Sequence, residues 1–150
     1  MPMTRSAPMA CTNCGKRNRL PLGGRGVPRC GFCHTALPWI VDADAASFDD
    51  AVDSSLPVLV DFWAAWCGPC RMLSPLVEQV ARDDAGRVKV VKLDVDAAPE
   101  IAARFEAQSI PLLLLLSEGS EVDRLVGAVP RPRLRAWLEP HLTTAPTASP

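Results

Sequence analysis

Val58-Leu59-Val60-Asp61-Phe62-Trp63 is an almost unbroken apolar run, and after two alanines Trp66-Cys67-Gly68-Pro69-Cys70 follows it. Beyond the second cysteine, Met72, Leu73, Leu76, Val77 and Val80 recur at spacings of three and four, the period of a helix face. Two cysteines therefore sit where a strand ends and a helix begins. The spacing puts both thiols on one face of the first turn. There the upstream sulfur meets unpaired backbone N–H groups and the positive end of the helix dipole. Both favour thiolate over thiol, and the thiolate is the nucleophile. Gly68 allows close backbone approach, and Pro69 suits a first turn whose N–H groups lack partners.

Outward from this point the chain reads as alternating elements. Trp39-Ile40-Val41 reads as a short strand, and residues 45–54 as a short helix with Phe48, Ala51 and Val52 on one face, Asp44 as cap and Pro57 as stop. The apolar run Val58–Trp63 predicts a strand covered on both faces. The helix from Cys67 to about Asp83 contains Pro75, which should kink it. Residues 88–95 read as a strand, and Pro99 opens a helix through Phe105. Leu112–Leu116 reads as a buried strand, Glu118-Gly119 as a turn and residues 122–126 as its hairpin partner, which Gly127 ends. Leu134, Trp137, Leu138 and Leu142 give a last amphipathic helix, opened by Pro132. The order β-α-β-α-β-α-β-β-α predicts an α/β layout with a terminal hairpin.

Ahead of that unit, Cys11-x-x-Cys14 and Cys30-x-x-Cys33 are separated by fifteen residues, the spacing of a zinc ribbon. Residues 1–10 read as a disordered leader, 11–37 as the ribbon, 38–142 as the main domain and 143–150 as a disordered tail. The glycines and prolines between the pairs cannot build a hydrophobic core, so one zinc ion held by four thiolates would supply the folding energy. Gly15 and Gly31 read as the knuckle-turn residues. His34 is a bystander beside a saturated site. The other readings of Cys11, Cys14, Cys30 and Cys33 are two disulfides, free thiols, or a metal with no role beyond folding.

The chain's 150 residues, 48% hydrophobic and with a formal net charge of −1, fit one globular domain plus an appendage. Residues 1–37 carry six basic side chains and no acid, which leaves ten basic and seventeen acidic residues in the remainder. Such a split predicts two units with different partners, or two units attracted to each other. No apolar stretch reaches the ~18 residues of a membrane span. The N-terminus lacks the continuous apolar core of a secretory signal. A reducing, cytoplasmic setting is therefore expected, where cysteine pairs read as metal ligands or redox groups.

On these motifs, residues 39–142 resemble a thioredoxin over their whole length, and Trp66-Cys67-Gly68-Pro69-Cys70 matches the family's active-site motif letter for letter. With the four-cysteine element in front, the chain is similar to the zinc-ribbon type of bacterial thioredoxin. The resemblance implies the thioredoxin fold, a mixed five-stranded sheet flanked by four helices. It also implies a cytoplasmic protein-disulfide reductase, recharged by NADPH-dependent thioredoxin reductase and acting on disulfide-containing client proteins. Cys67 is then the attacking thiolate and Cys70 the less exposed resolving thiol. The lowered thiol pKa of this motif is a property known from thioredoxins themselves, so it is inherited here rather than predicted.

Asp61 interrupts an apolar strand, and a buried carboxylate must be either neutral or paired. Lys92, which breaks the next strand, is its natural partner. The resemblance gives Asp61 an acid/base role at the resolving cysteine and Lys92 a modulating one. The plain alternatives are a solvent-facing strand edge for Asp61 and, for Lys92, a solvated flank whose stem covers apolar surface. The resemblance makes the Ile110–Pro111 bond cis and places it beside the cysteines, where an extended client segment can pair with it. Leu112 stands where the family usually has threonine. Trp66, Gly68, Pro69, Ile110, Pro111, Gly127 and Ala128 match a flat apolar docking face, while Trp39, Trp63 and Trp137 read as interior. Arg131, Arg133 and Arg135 oppose the dipole of the last helix and read as a solvated face.

A different class of function remains open on the sequence: the basic ribbon could bind an acidic partner or nucleic acid, with the other half a redox sensor. Against nucleic acid, the ribbon carries one aromatic, Phe32, for base stacking, and zinc thiolates offset part of its charge.

Overall fold

A computed structural model describes residues 8–143. The expected disordered tail beyond Thr143 and most of the expected leader lie outside the described residues. The leader's last two residues do not follow the expectation. Met9–Ala10 form a short strand, β1, antiparallel to β2, Arg17–Asn18. The pairing starts the first cysteine knuckle, so the ordered ribbon begins before Cys11.

The main sheet holds β3 (Ile40–Ala43), β4 (Val58–Trp63), β5 (Lys89–Asp94), β6 (Leu112–Ser117) and β7 (Ser120–Val126), in the order β3-β5-β4-β6-β7. The first three strands are parallel, and β6 and β7 are antiparallel additions. Its strands are separated by α1 (Phe48–Ala51), α2 (Gly68–Asp83) and α3 (Pro99–Arg104), and the chain closes with α4 (Arg131–Leu138) and a 3-10 turn, Glu139–His141. This is the mixed five-stranded α/β sheet with four helices that the sequence implied.

Side-chain alternation divides the core into two layers. Val58, Val60 and Phe62 of β4 pack with Phe48, Ala51 and Ile101 from α1 and α3. Leu59 faces the other way, with Leu73, Val77 and Val80 of α2 and Leu134 and Leu138 of α4. The leucine run of β6 serves both layers, Leu112, Leu114 and Leu116 on one side and Leu113 and Leu115 on the other. The β6–β7 turn at Glu118-Gly119 has φ of 50° and 82°, the two positive values of a type I′ hairpin. Two helix details depart from expectation. Met72 is 75% exposed rather than core, because its neighbours Leu73, Val77 and Val80 define the buried stripe. The expected helix over 45–54 contracts to α1, because Asp44 accepts from the backbone and hydroxyl of Ser47 in a turn that delays the helix start.

The ribbon is built from two similar knuckles. The amides of Gly15 and His34 donate to the carbonyls of Cys11 and Cys30, both at 2.9 Å, and the amides of Cys11 and Cys30 donate to Lys16 and Thr35. The left-handed residue is Gly15 in the first knuckle (φ 78°) and His34 in the second (φ 66°). The second turn therefore rests on His34, not on Gly31, whose amide instead donates to Asn18 at 2.9 Å.

Between the knuckles, residues 19–28 form a strap laid on the main domain. Leu20 is buried in its core, and the Trp39 indole N–H donates to the Pro21 carbonyl at 2.9 Å. The Lys89 ammonium is fully buried, donates to the carbonyls of Leu22 and Ala51, and lies 4.1 Å from the Trp39 ring centre. The Gly24 amide donates to Asp53 at 2.7 Å and the Gly26 amide to the Ser55 hydroxyl at 2.9 Å. Arg25 reaches both Glu118 oxygens, at 3.0 and 2.9 Å. Among the described residues, Arg25 is the one ribbon cation ion-paired to the acidic half. The ribbon thus shares the domain's core, which its composition alone argued against.

Candidate functional site

β4 runs into the turn 64–67, and α2 starts at once. Cys67 is the N-cap of α2 and its sulfur accepts from the Cys70 amide at 3.1 Å. Pro69 occupies the first turn, where no N–H is needed. Cys67 and Cys70 are joined as a disulfide with Cα atoms 5.3 Å apart. Both residues are buried, at 3% and 4% exposure. The two cysteines pack with buried Ala64 and with partly buried Trp63, Val95 and Ile110.

The Ile110–Pro111 peptide is cis. Ile110 packs on the cysteine cluster, and the Gly127 amide donates to the Pro111 carbonyl at 2.9 Å, which brings the end of β7 to the same place. Trp66 is 67% exposed, and its indole N–H donates to Asp96 at 2.8 Å. Gly68, Pro69 and Ala128 are also exposed, Ile110 and Gly127 are half-buried, and Pro111 is buried. Trp39 is interior, whereas Trp63 and Trp137 are only partly buried.

On β4, the strand that leads into the cysteine turn, Asp61 is 2% exposed. Its carboxyl is pushed up to about 6, first by burial, against the pull of Lys92 and with the help of Glu78. The expected Asp61–Lys92 pair does not form. The two residues are cross-strand partners of β4 and β5, yet the Lys92 ammonium turns to α2, donating to Ser74 Oγ at 2.7 Å and Glu78 Oε2 at 3.4 Å. A cavity of about 160 Å³ lies there, lined by Trp63, Cys70, Ser74 and Lys92 among others. Ser74, Glu78 and Asp96 escaped the sequence reading. For Ser74 and Glu78 a signal existed: they stand one turn apart on the helix that covers Asp61.

In the ribbon, one sulfur from each of Cys11, Cys14, Cys30 and Cys33 lies within 4.8 Å of the others. The closest contacts, 3.5 Å for Cys11–Cys33 and 3.6 Å for Cys14–Cys30, are far too long for disulfides. Backbone N–H groups point at the sulfurs, from Asn13 to Cys11 at 3.4 Å and from Phe32 to Cys30 at 3.4 Å. The Asn13 amide and Thr35 hold the Cys33 thiol down, to about 5. Cys14 is pushed up to about 12: the Lys16 backbone lowers it, but burial and hydrogen bonds with Cys30, Cys33 and Cys11 outweigh that. Four sulfurs this close cannot all ionise unaided, and a cation resolves the conflict. The four cysteines together could hold a metal ion.

The thioredoxin family profile matches residues 39–140. The chain is 49% identical over 100 residues to "Thioredoxin" of Synechocystis sp., covering 67% of this chain and 94% of that one. It is 46% identical over 99 residues to "Thioredoxin 1" of a Nostoc species, covering 66% and 92%. It is 39% identical over 138 residues to "Thioredoxin C-3" of Corynebacterium nephridii, covering 89% and 94%, an alignment that must extend into the segment before residue 39. The chain belongs to the thioredoxin family, and with it to the thiol–disulfide oxidoreductases.

Proposed function

We propose that this chain reduces disulfides of client proteins through the Cys67/Cys70 dithiol. The observation that carries the reading is Cys67 at the N-cap of α2, one turn from Cys70 and bonded to it, and a buried carboxylate, Asp61, on the strand that leads into the turn supports it. The Cys67 thiolate attacks one client sulfur, and the other leaves as a thiolate that takes a proton from solvent. Cys70 then gives its proton to the Asp61 carboxylate and its sulfur attacks Cys67 Sγ. The client leaves as a dithiol and the Cys67–Cys70 bond forms, two electrons having moved to the client. Trp66, Gly68, Pro69, Ile110, Pro111 and Gly127 form the face on which the client segment docks, and Lys92 modulates Asp61.

Recharging needs an external two-electron donor, here NADPH through a thioredoxin reductase, and the setting is the cytoplasm. Among the described residues no helix is long and apolar enough to cross a membrane. The ion at Cys11, Cys14, Cys30 and Cys33 is zinc, which suits a closed set of four thiolates. When bound it ties the two knuckles together. The test is insulin-disulfide reduction with NADPH and a thioredoxin reductase. Cys67→Ser should abolish turnover, and Cys70→Ser should accumulate a client adduct on Cys67. Turnover surviving in Cys67→Ser would overturn the reading. A metal assay of the purified protein should find about one zinc per chain.

A further inference from the structure

The β4–β5 register sets Asp61 and Lys92 side by side, close enough for side chains on one face to touch. A lysine stem of four carbons could turn its charge to either side. Here it turns away from Asp61. The Ser74 hydroxyl accepts from Lys92 at 2.7 Å and donates to Glu78 at 3.3 Å, while Glu78 takes the ammonium's charge at 3.4 Å. Ser74 and Glu78 are four residues apart on α2, so they form one face of the helix. Side-chain exposure rises from 16% at Lys92 to 39% at Glu78, so the cation is drawn outward from a buried carboxylate. Among the described residues, no hydrogen bond or ion pair reaches the Asp61 carboxylate.

We propose that Ser74 and Glu78 are positioning residues: by holding the Lys92 ammonium on α2, they keep it from pairing with Asp61 and so set the pH at which Asp61 ionises. The charged and titratable groups around Asp61 are few. β5 supplies Lys92, whose register partner on its far side is the exposed Asp42 of β3, and α2 supplies Glu78, with Arg71 on the rim of the cavity; Cys70 is disulfide-bonded and does not titrate. β6 presents Leu113 at the register position, and α4 packs this layer with Leu134 and Leu138. Removing the Glu78 charge therefore acts in one direction by two routes. It takes a negative charge from the neighbourhood and releases a positive one toward Asp61. Both favour the carboxylate.

The proposal rests on the acid/base reading of Asp61 only for its catalytic consequence, and the experiment separates the two. The Asp61 carboxyl is titrated by 13C NMR in the full chain. In Glu78→Gln its midpoint should fall by about one pH unit, and in Ser74→Ala, a milder change, it should fall by less. In a Lys92→Met background the Glu78→Gln shift should shrink by half or more, because the route through lysine is gone. An unmoved midpoint in both α2 variants overturns the proposal, as does a Glu78→Gln shift of equal size with and without Lys92. The pH–rate profile of Asp61→Asn independently tests the reading of Asp61 as base. If that profile matched the unaltered protein's, the base would be another group, while the titration result would stand.

Discussion

Asp61 shows how a single buried side chain couples stability to chemistry. Its carboxyl rises from 3.8 to about 6 in the folded chain, with burial as the main cause. Since the folded value lies above the unfolded one, the protonated group favours folding fully below pH 3.8, and that advantage is lost as pH rises through about 6. At pH 8 the ionised carboxylate therefore costs the fold about 3 kcal/mol, at 1.36 kcal/mol per unit. Asp61→Asn should raise unfolding free energy by about that amount at pH 8 and leave it nearly unchanged below pH 4, as urea titrations at the two pH values would show. The same variant should slow resolution of the client adduct at neutral pH, because Cys70 loses its proton acceptor. Asp61 was legible as a special residue because one charge in an apolar strand is conspicuous. Where Lys92 points was not legible: both residues were identified, but a flexible stem chooses between a strand neighbour and a helix neighbour only in three dimensions.

At the scale of elements, strands were easier to read than caps and strap. The runs at Val58–Trp63 and Leu112–Leu116 have one physical solution, a strand buried on both faces. The arginines of α4 did not announce themselves. They seemed to oppose the helix dipole, but Arg131 reaches Asp83 at 3.4 Å, and Arg135 pairs with Asp84 and with Glu139 at 2.7 Å. Asp84 is 2% exposed and ends α2, and it is neutralised by Arg135, which lies in the last turn of the short α4, where a cation complements the dipole rather than opposing it. Arg135→Ala should cost about 1–3 kcal/mol in thermal or urea melts, the range for a buried polar group that loses a partner, with Arg87 limiting the loss. The strap has a sharper test. A Cβ at Gly23 would lie 1.7 Å from the Asp50 carbonyl oxygen, inside any allowed contact. Gly23→Ala must push the strap away from α1, with a loss of about 1–3 kcal/mol in the same melts, the cost of overpacking. A close approach of this kind leaves no trace in sequence beyond a glycine among other glycines.

Across the whole molecule, the charge split between the halves left two readings, different partners or mutual attraction, and among the described residues the ion pairs that join the halves are those of Arg25. The larger part of their contact is apolar and hydrogen-bonded, through Leu20, Trp39 and Lys89. Lys89→Met should strand the carbonyls of Leu22 and Ala51 and lower stability by about 1–3 kcal/mol, read as a fall in Tm. Stripping metal from the four cysteines with a strong chelator should lower the Tm of the entire chain, because the strap is anchored at both ends by the knuckles. The boundary at Pro38 is a change in composition and motif, and on those grounds the sequence divides there. The hydrogen bond from Trp39 back to Pro21 runs straight across that line. One consequence is cooperativity: a calorimeter should record a single endotherm for the metal-loaded protein, and a protease should find no early nick between the cysteine pairs, since Leu20 of the strap is buried in the same apolar layer as α1 and α3.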